Sequence, residues 1–397
     1  MSAADILERA RERADEFVAL RRDIHGEPEL AFQETRTAAL VAERLRAWGY
    51  EVDAGLGGTG VVGTLRRGTG SKRLGIRADM DALPIVEDTG LAYASKRRGV
   101  MHACGHDGHT AMLLAAACQL AAHGRFSGTL NLIFQPAEEG QGGAAKMIEA
   151  GLFERHPCDA VFGMHNAPGY PQGQLLFRDG PMTASSDYAK ITLRGVGGHG
   201  AFPHRAADPI VAASSLVMAL QTIVSRNVDP IQSAVVSVGT LQAGVASNVI
   251  PASATMELSI RAFDDGVRDL LETRIRELAA QQAASFGVRA EVDYQRRYAV
   301  LVNTRAETDF ARQVGIELVG AGRCVMQHDP VTGSEDFSFM LQKVPGCFLM
   351  IGNGDGDSPG ATMCHHPGYD FNDANLPLGA AYWVLLAERF LQGGGAV

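Results

Sequence analysis

The sequence predicts an α/β fold: a largely parallel, mixed sheet covered by helices, with a smaller domain inserted into it. Three observations predict it. Short runs such as TLNLIFQ (129–135) and CFLMIG (347–352) are apolar at successive positions, as strands covered on both faces are. Helical patterns lie between such runs, which is the alternation of a parallel sheet. The middle of the chain then changes to strand, helix, strand, strand, helix, strand, the order of a ferredoxin-like unit.

In chain order, Ile6, Ala10, Ala14, Phe17 and Ile24 repeat at helical spacing and predict a first helix. Ala38, Val41, Leu45 and Trp48 form the stripe of a second, which stops at Gly49. Strands are expected at 72–78, 129–135, 159–164 and 347–352, with helices at 109–122 and 142–151 between the first three. The inserted unit reads as strand 187–194, helix 207–226, strands 232–241 and 253–262, helix 265–286 and strand 289–297. A last helix, LPLGAAYWVLLAERFL, carries the apolar stripe needed to return to the sheet. The expected domains are therefore 1–182 plus 297–397, and the inserted 183–296.

Composition narrows the function. The 397 residues are 46% hydrophobic, enough for a packed core without disulfides. Lys and Arg number 36 against 45 Asp and Glu, a formal charge of −9, so neither nucleic acid nor an anionic membrane is expected as a partner. The basic run Lys96-Arg97-Arg98 reads as a solvated loop. No apolar run approaches the roughly 20 residues of a membrane span. The charged amphipathic start lacks a signal-peptide core, so a cytoplasmic location is expected. The six cysteines are scattered, and in that compartment they stay thiols. Cys118 and Cys347 read as small core residues.

In open α/β sheets functional groups collect beyond the carboxyl ends of strands. Here those ends run into Asp79 and Asp81, into Glu138 and Glu139, into His165, and after a Gly/Asp-rich loop into Cys364-His365-His366. The stretch MHACGHDGHT (101–110) opens a helix between the first two. Cys104 and His106, two apart, point the same way in a turning loop. Thiolate, imidazole and carboxylate together suit Zn²⁺, with Co²⁺, Ni²⁺ or Mn²⁺ as further options. Adjacent glutamates at a strand end point apart, so one can bind metal while the other shuttles a proton. His102 and His109 read as supporting or helix-capping residues. Asp107 is placed to hold His106 in its ligating tautomer, and Asp81 reads as a turn residue before Pro84. His25, His123, His156 and His328 are assigned no role.

These motifs, with RRDIHGEPELAFQETRT, RADMDALPI, FQPAEEGQGGAAKMIEAG, GMHNAPG, GGHGAFPH, ASNVIPASATMELSIRAFD, GSEDFSFM and HHPGYDFNDANLPLG, resemble the amidohydrolase branch of the aminoacylase-like co-catalytic metallopeptidases. That branch includes hippurate hydrolases, indole-acetyl-amino-acid hydrolases and N-acyl-amino-acid hydrolases, and the resemblance covers nearly the whole chain. It implies two divalent metal ions held by Cys104, His106, Glu139, His165 and His365, with His365 ranked above His366. It implies Glu138 as general base, His199 as a residue that binds substrate or steadies the tetrahedral intermediate, and Asn248 as a weaker candidate of the same kind. It implies a lid and dimerisation role for the inserted domain, hence a homodimer or higher homo-oligomer.

The expected reaction is hydrolysis of the amide bond of an N-acyl-amino acid, with Asp79 orienting a metal-binding histidine. The product carboxylate needs a partner. Arg261, at a strand end, and Ser334, read as the cap of a helix starting at GSEDF, are the candidates; a surface ion pair and a plain cap are their alternatives. Three rival readings remain. A dipeptidase or aminopeptidase would use the same metals. A thiol hydrolase would use Cys104 with His106 as base. A metal-stabilised binding protein would have no use for a spare glutamate.

Overall fold

A computed structural model describes residues 1–392. The chain divides into two compact units. The first comprises Met1–Gly180, Val302–Asp329 and the chain from Asp336 onward; the second comprises Pro181–Leu301 and Pro330–Glu335. The expected boundaries, 182/183 and 296/297, differ by a few residues from these, and 330–335 departs from the expected first domain. That segment joins the second unit by long-range backbone bonds, Val331 N to Met182 O (2.9 Å) and Ala184 N to Gly333 O (2.9 Å). Nothing local in the sequence signals such a return.

The first unit is built on an eight-stranded mixed sheet. Its spatial order is Glu51–Leu56, Gly60–Arg67, Gly128–Gln135, Arg73–Asp79, Ala160–Pro168, Gly346–Gly354, Leu175–Leu176 and Cys324–Val325. The four central strands, from Gly128–Gln135 to Gly346–Gly354, run parallel. Gly60–Arg67 and Leu175–Leu176 add antiparallel neighbours on either side. Every residue of Gly128–Gln135 is buried, so both its faces are covered.

Helix Asn375–Leu391 packs along helix His106–His123, and Trp383, Tyr382 and Leu385 bury fully in that layer. The first predicted helix is two, Ala3–Glu12 and Ala14–Gly26, because Arg13 leaves helical dihedrals. The apolar stripe nevertheless continues across the break, through Ile6, Ala10, Phe17 and Ile24. Ser2 caps the first of them in a reciprocal capping box with Asp5.

The second unit carries a four-stranded antiparallel sheet in the order Ala234–Ala243, Ser253–Ala262, Ser186–Arg194, Arg289–Tyr298. Read from the last strand, that is fourth, first, third, second in chain order, the ferredoxin-like arrangement. Helices Pro209–Arg226 and Asp265–Ser285 begin on side-chain caps, Asp208 to Ile210 N and Asp264 to Val267 N, each worth about 1 kcal/mol. Pro209–Arg226, expected as a helix over 207–226, is long and apolar enough to cross a membrane by length and composition. In this fold it buries Ala212, Leu216, Leu220 and Ile223 in the core shared with Ile191, Leu258 and Leu271.

Candidate metal centre

Because the central strands run parallel, their carboxyl ends lie on one edge. Asp79 ends its strand opposite Gln135, and Pro136-Ala137 carries the chain from there to Glu138 and Glu139. His165 lies in the next strand, opposite Met350. His106 begins its helix immediately after Cys104-Gly105, three residues earlier than the helical pattern suggested. His365 arrives from the loop after Gly354, its N–H bonded to Ala103 O at 2.7 Å.

Two groups of donors meet there, and both contain Cys104. Cys104, His106 and His165 have ligand atoms within 4.8 Å of one another, and so do Cys104, Glu139 and His365. Cys104 Sγ lies 3.3 Å from His165 Nε2, and Glu139 Oε1 lies 3.1 Å from His365 Nε2. Ligands about 2.0–2.3 Å from one cation sit about 3.3–3.8 Å apart in a tetrahedron; the Cys104–His165 separation falls in that range and the Glu139–His365 contact is slightly shorter, at 3.1 Å. Glu138 and Glu139 also group with His106. All five residues expected as ligands, with Glu138, are thus brought together. His366 is not: it is exposed, and its Nδ1 accepts the Gly368 N–H at 3.0 Å.

The imidazoles are oriented for a cation. His106 Nδ1 lies 3.2 Å from Asp81 Oδ1, and its buried Nε2 makes no hydrogen bond. His165 Nδ1 bonds the Asn166 carbonyl at 2.7 Å, which leaves Nε2 toward Cys104. Burial and the nearby His109 and His106 hold the His165 pKa well below the usual histidine range, which favours the neutral imidazole a cation needs. Burial opposes charge on His106, but Asp79, Asp81 and Glu139 outweigh it and push its pKa up to about 10. Burial likewise raises Glu139, yet the His365 hydrogen bond and the His106 charge bring it below the ordinary carboxylate range. Acidic groups crowd this buried edge around an unbonded imidazole nitrogen. Buried charge in such excess is costly unless a cation compensates it, and the donor set fits one.

Asp81 is the residue sequence reasoning missed. It is buried, its Oδ1 accepts the Glu138 N–H at 3.0 Å, and its Oδ2 accepts the Glu139 N–H at 2.9 Å. One carboxylate therefore fixes both glutamates and His106. That is the tautomer-setting job expected of Asp107. Asp107 instead faces away, with Arg21 Nε at 2.7 Å and His25 Nδ1 at 2.8 Å. One residue along the helix, it is turned about 100° away from His106. Asp79 also differs from expectation. Its short bond is to His109 Nδ1 (2.6 Å), while His106 Nε2 is 3.8 Å away. His109 Nε2 accepts the Asn166 N–H at 3.0 Å, so both its nitrogens are used. Beneath them the buried Arg77 bonds Gln135, Asp79 and Asp336.

The backbone is bent to bring these groups in. Ala137 and His365 have φ of 54° and 67°, two of the three positive values among described non-glycine residues. Such dihedrals cost of order 1–3 kcal/mol and persist where the surroundings impose them. Gly105, at φ 91°, has no such penalty, and a Cβ there would collide with Asn166 and the Tyr369 hydroxyl.

His199, Asn248, Arg261 and Ser334 belong to the second unit, and the cluster is built from first-unit residues alone. His199 is exposed, pairs with Val249 in a two-stranded ribbon, and its Nδ1 accepts the Ala201 N–H. Asn248 is exposed in the adjoining turn, its carbonyl bonded by Gly200 N. Ser334 does not cap a helix. The helix starts at Phe337, and Ser334 Oγ accepts from Arg261 Nη1 at 3.1 Å. The two candidate carboxylate partners are therefore bonded to each other.

Residues 75–389 match the model of peptidase family M20/M25/M40. A hippurate hydrolase of Campylobacter jejuni is 46% identical over 95% of this chain and 97% of its own. An IAA-amino acid hydrolase of Arabidopsis thaliana is 40% identical over 95% and 86%. Among solved structures, a Bacillus subtilis dinuclear metal binding peptidase from the M20 family matches with a TM-score of 0.82 at 34% identity, over 96% of this chain and 99% of that one. The family match over most of the chain and a relative 46% identical over 95% of it show that the chain belongs to peptidase family M20/M25/M40.

Proposed function

We infer that the protein is a metal-dependent amidohydrolase that cleaves the amide bond of N-acyl-amino acids to a carboxylic acid and a free amino acid. Its similarity to a hippurate hydrolase over nearly its whole length supports the substrate class. The observation that carries the chemistry is Glu138 beside Glu139: two glutamates, one grouped with His365 and Cys104, the other buried next to it.

Cys104, His106 and His165 would hold one cation, and Cys104, Glu139 and His365 the second. When bound, the cations supply Lewis acidity, polarising the amide carbonyl and making water a stronger acid. Glu138 handles the proton. Its backbone N–H is held by Asp81 and its Oε1 receives the Asp336 N–H at 3.4 Å, so both its main chain and its carboxylate are positioned. It takes a proton from the attacking water and returns it to the leaving nitrogen. A general base of this kind contributes about 10²–10⁴-fold. His199 is proposed to donate toward the developing oxyanion, contacts often worth about 3–4 kcal/mol. Asn248 is proposed as a weaker candidate for the same role as His199, and Arg261 or Ser334 to meet the amino-acid carboxylate.

The thiol-hydrolase reading is disfavoured. The hydrogen bond with Cys364 and burial raise the Cys104 pKa well above the ordinary thiol value, and the nearest imidazole, His165, is a poor base. Thiolate, imidazole and carboxylate donors favour Zn²⁺, with Mn²⁺, Co²⁺ or Ni²⁺ as alternatives. A homodimer is proposed from apolar side chains the second unit exposes, Val211, Met218 and Ile231 among them. A cytoplasmic setting is proposed from six free thiols.

The test is a panel of benzoyl, acetyl, indole-acetyl and succinyl amino acids, with dipeptides alongside, given to chelator-stripped protein reloaded with each metal in turn. Turnover of acylated amino acids that needs added metal is expected. Activity that survives chelation and dies with a thiol alkylator would contradict the reading.

A further inference from the structure

The motif RRDIHGEPELAFQETRT (21–37) has no part in the proposed reaction, yet one of its carboxylates reaches the chain beside the glutamate pair. Glu34 is fully buried. Its Oε1 accepts the Ala137 N–H at 2.9 Å, and its Oε2 accepts the Thr59 hydroxyl at 2.5 Å. Ala137 precedes Glu138 and has a φ of 54°. Its carbonyl is held as well, by the Gly143 N–H at 3.0 Å. The successive N–H groups of Ala137, Glu138 and Glu139 thus all end on buried carboxylates, the first on Glu34 and the other two on Asp81. Hydrogen bonds to charged acceptors are roughly twice as strong as neutral ones. A left-handed alanine persists where its surroundings impose it.

Glu34 can impose it because its own loop is fixed. Earlier in that loop the Glu29 carbonyl accepts the Ala82 N–H at 2.8 Å, next to Asp81. The Glu29 carboxylate accepts the Arg36 N–H at 3.0 Å and the Thr37 N–H at 2.9 Å, which satisfies the start of helix Thr35–Ala47. Phe32, at φ 61°, turns the chain between them. Phe32 and Ala137, two of the three described non-glycine residues with positive φ, therefore lie on the two sides of one hydrogen bond. Thr59 comes from the turn between Glu51–Leu56 and Gly60–Arg67. That turn runs against helix Gly143–Glu149, where a Cβ on Gly57 would lie 2.6 Å from the Met147 nitrogen.

We propose that Glu34 is a positioning residue for the metal centre: by holding the Ala137 N–H it fixes the left-handed turn from which Glu138 and Glu139 project in different directions. The effect on turnover and on zinc rests on the reading of Glu138 as the base and Glu139 as a ligand; the hold on Ala137 does not. Glu34 acts through the chain, and it belongs to neither group of donors around Cys104. Glutamine at this position keeps an acceptor for Ala137, and the Thr59 hydroxyl can turn to accept its amide N–H. Leucine offers no acceptor at all.

Wild type, Glu34→Gln, Glu34→Leu and Thr59→Val are compared by three measurements. In metal-free protein, hydrogen exchange read by mass spectrometry should show the peptide covering 136–142 exchanging about tenfold or more faster in Glu34→Leu, with Gly128–Gln135 unchanged. In zinc titrations Glu34→Leu should weaken the ion reached by Glu139 and His365 about 10–100-fold and leave the one reached by His106 and His165. In zinc-saturated protein its kcat on benzoylglycine should fall about 10–100-fold while KM stays within about twofold. Glu34→Gln should restore all three. Thr59→Val leaves Glu34 in place but unbraced, and should show the same changes at roughly two- to tenfold, which decides the matter if Glu34→Leu does not fold. Unchanged exchange at 136–142 in the variants that fold overturns the hold on Ala137. Faster exchange with unchanged zinc affinity and kcat overturns the positioning role. Equal weakening of both zinc ions, or Glu34→Gln as impaired as Glu34→Leu, overturns it too, since the loss would then belong to the whole fold or to charge. Normal kcat in zinc-loaded Glu138→Gln would end the base reading alone, and exchange and zinc affinity would still judge Glu34.

Discussion

The strand Gly128–Gln135 is buried at every position, whereas Ser186–Arg194 in the second unit buries alternate ones. A strand covered on both faces offers chemistry only at its ends. The first unit accordingly collects its polar groups at one edge and buries them: Arg77, Asp79, Asp81, His106 and Asp107 are all at most 1% exposed. The second unit buries one charged pair, Arg268–Asp187, and keeps others such as Arg194–Glu291 in solvent. The difference teaches where energy is concentrated. Buried charges held by exact partners are expensive to disturb, and exposed pairs contribute little.

That contrast can be broken by mutation. The largest effect is expected from Glu138→Gln, which should keep its metal and lose about 10²–10⁴-fold in kcat; near-normal kcat in fully loaded protein would remove Glu138 as the base. Next comes Arg21→Met. Asp107 and His25 sit against Arg21 with Asp370 at 2.5 Å, and burial is outweighed by Asp107, which drives the Arg21 pKa upward. Breaking such a pair should cost about 3–5 kcal/mol in urea unfolding. Arg194→Ala, its exposed counterpart, should stay within about 0.5 kcal/mol, and equal losses in both would erase the contrast. Asp81→Asn sharpens the comparison within the first unit: zinc affinity should fall about 10–100-fold as His106 loses its orienting carboxylate, and unchanged affinity in a competition titration would return Asp81 to the role of a turn residue. The smallest effect belongs to Met218→Gln, on a 71% exposed side chain. Stability should hardly change, while the mass from light scattering should move toward monomer if that face joins two copies.

Much of this was legible in the sequence because the ligands follow strand ends, and strand ends follow apolar runs. That rule gathered Cys104, His106, Glu138, Glu139, His165 and the run Cys364-His365-His366, and the choice of Glu139 and His365 among them came from the resemblance. What was not legible depends on long-range contacts. Asp81 acts on Glu138 and Glu139 across more than fifty residues, and its local neighbourhood, before Ala82-Leu83-Pro84, reads only as a turn. The hairpin Glu51–Leu56 and Gly60–Arg67 escaped notice because glycines interrupt its alternation, as in AGLGGTG. Ser334 looked like a cap from its motif, yet the helix begins three residues later and an arginine claims the hydroxyl. Asp107 shows the same limit from the other side: its sequence position beside His106 suggested contact, and helical geometry denied it.

The shared position of Cys104 is the point on which the account turns. Anomalous diffraction from zinc-loaded crystals tests it directly. The account predicts two metal peaks per chain, both about 2.3 Å from Cys104 Sγ, one reached by His106 and His165 and the other by Glu139 and His365. A single peak, or two peaks that leave the Cys104 sulfur uncoordinated, would contradict it.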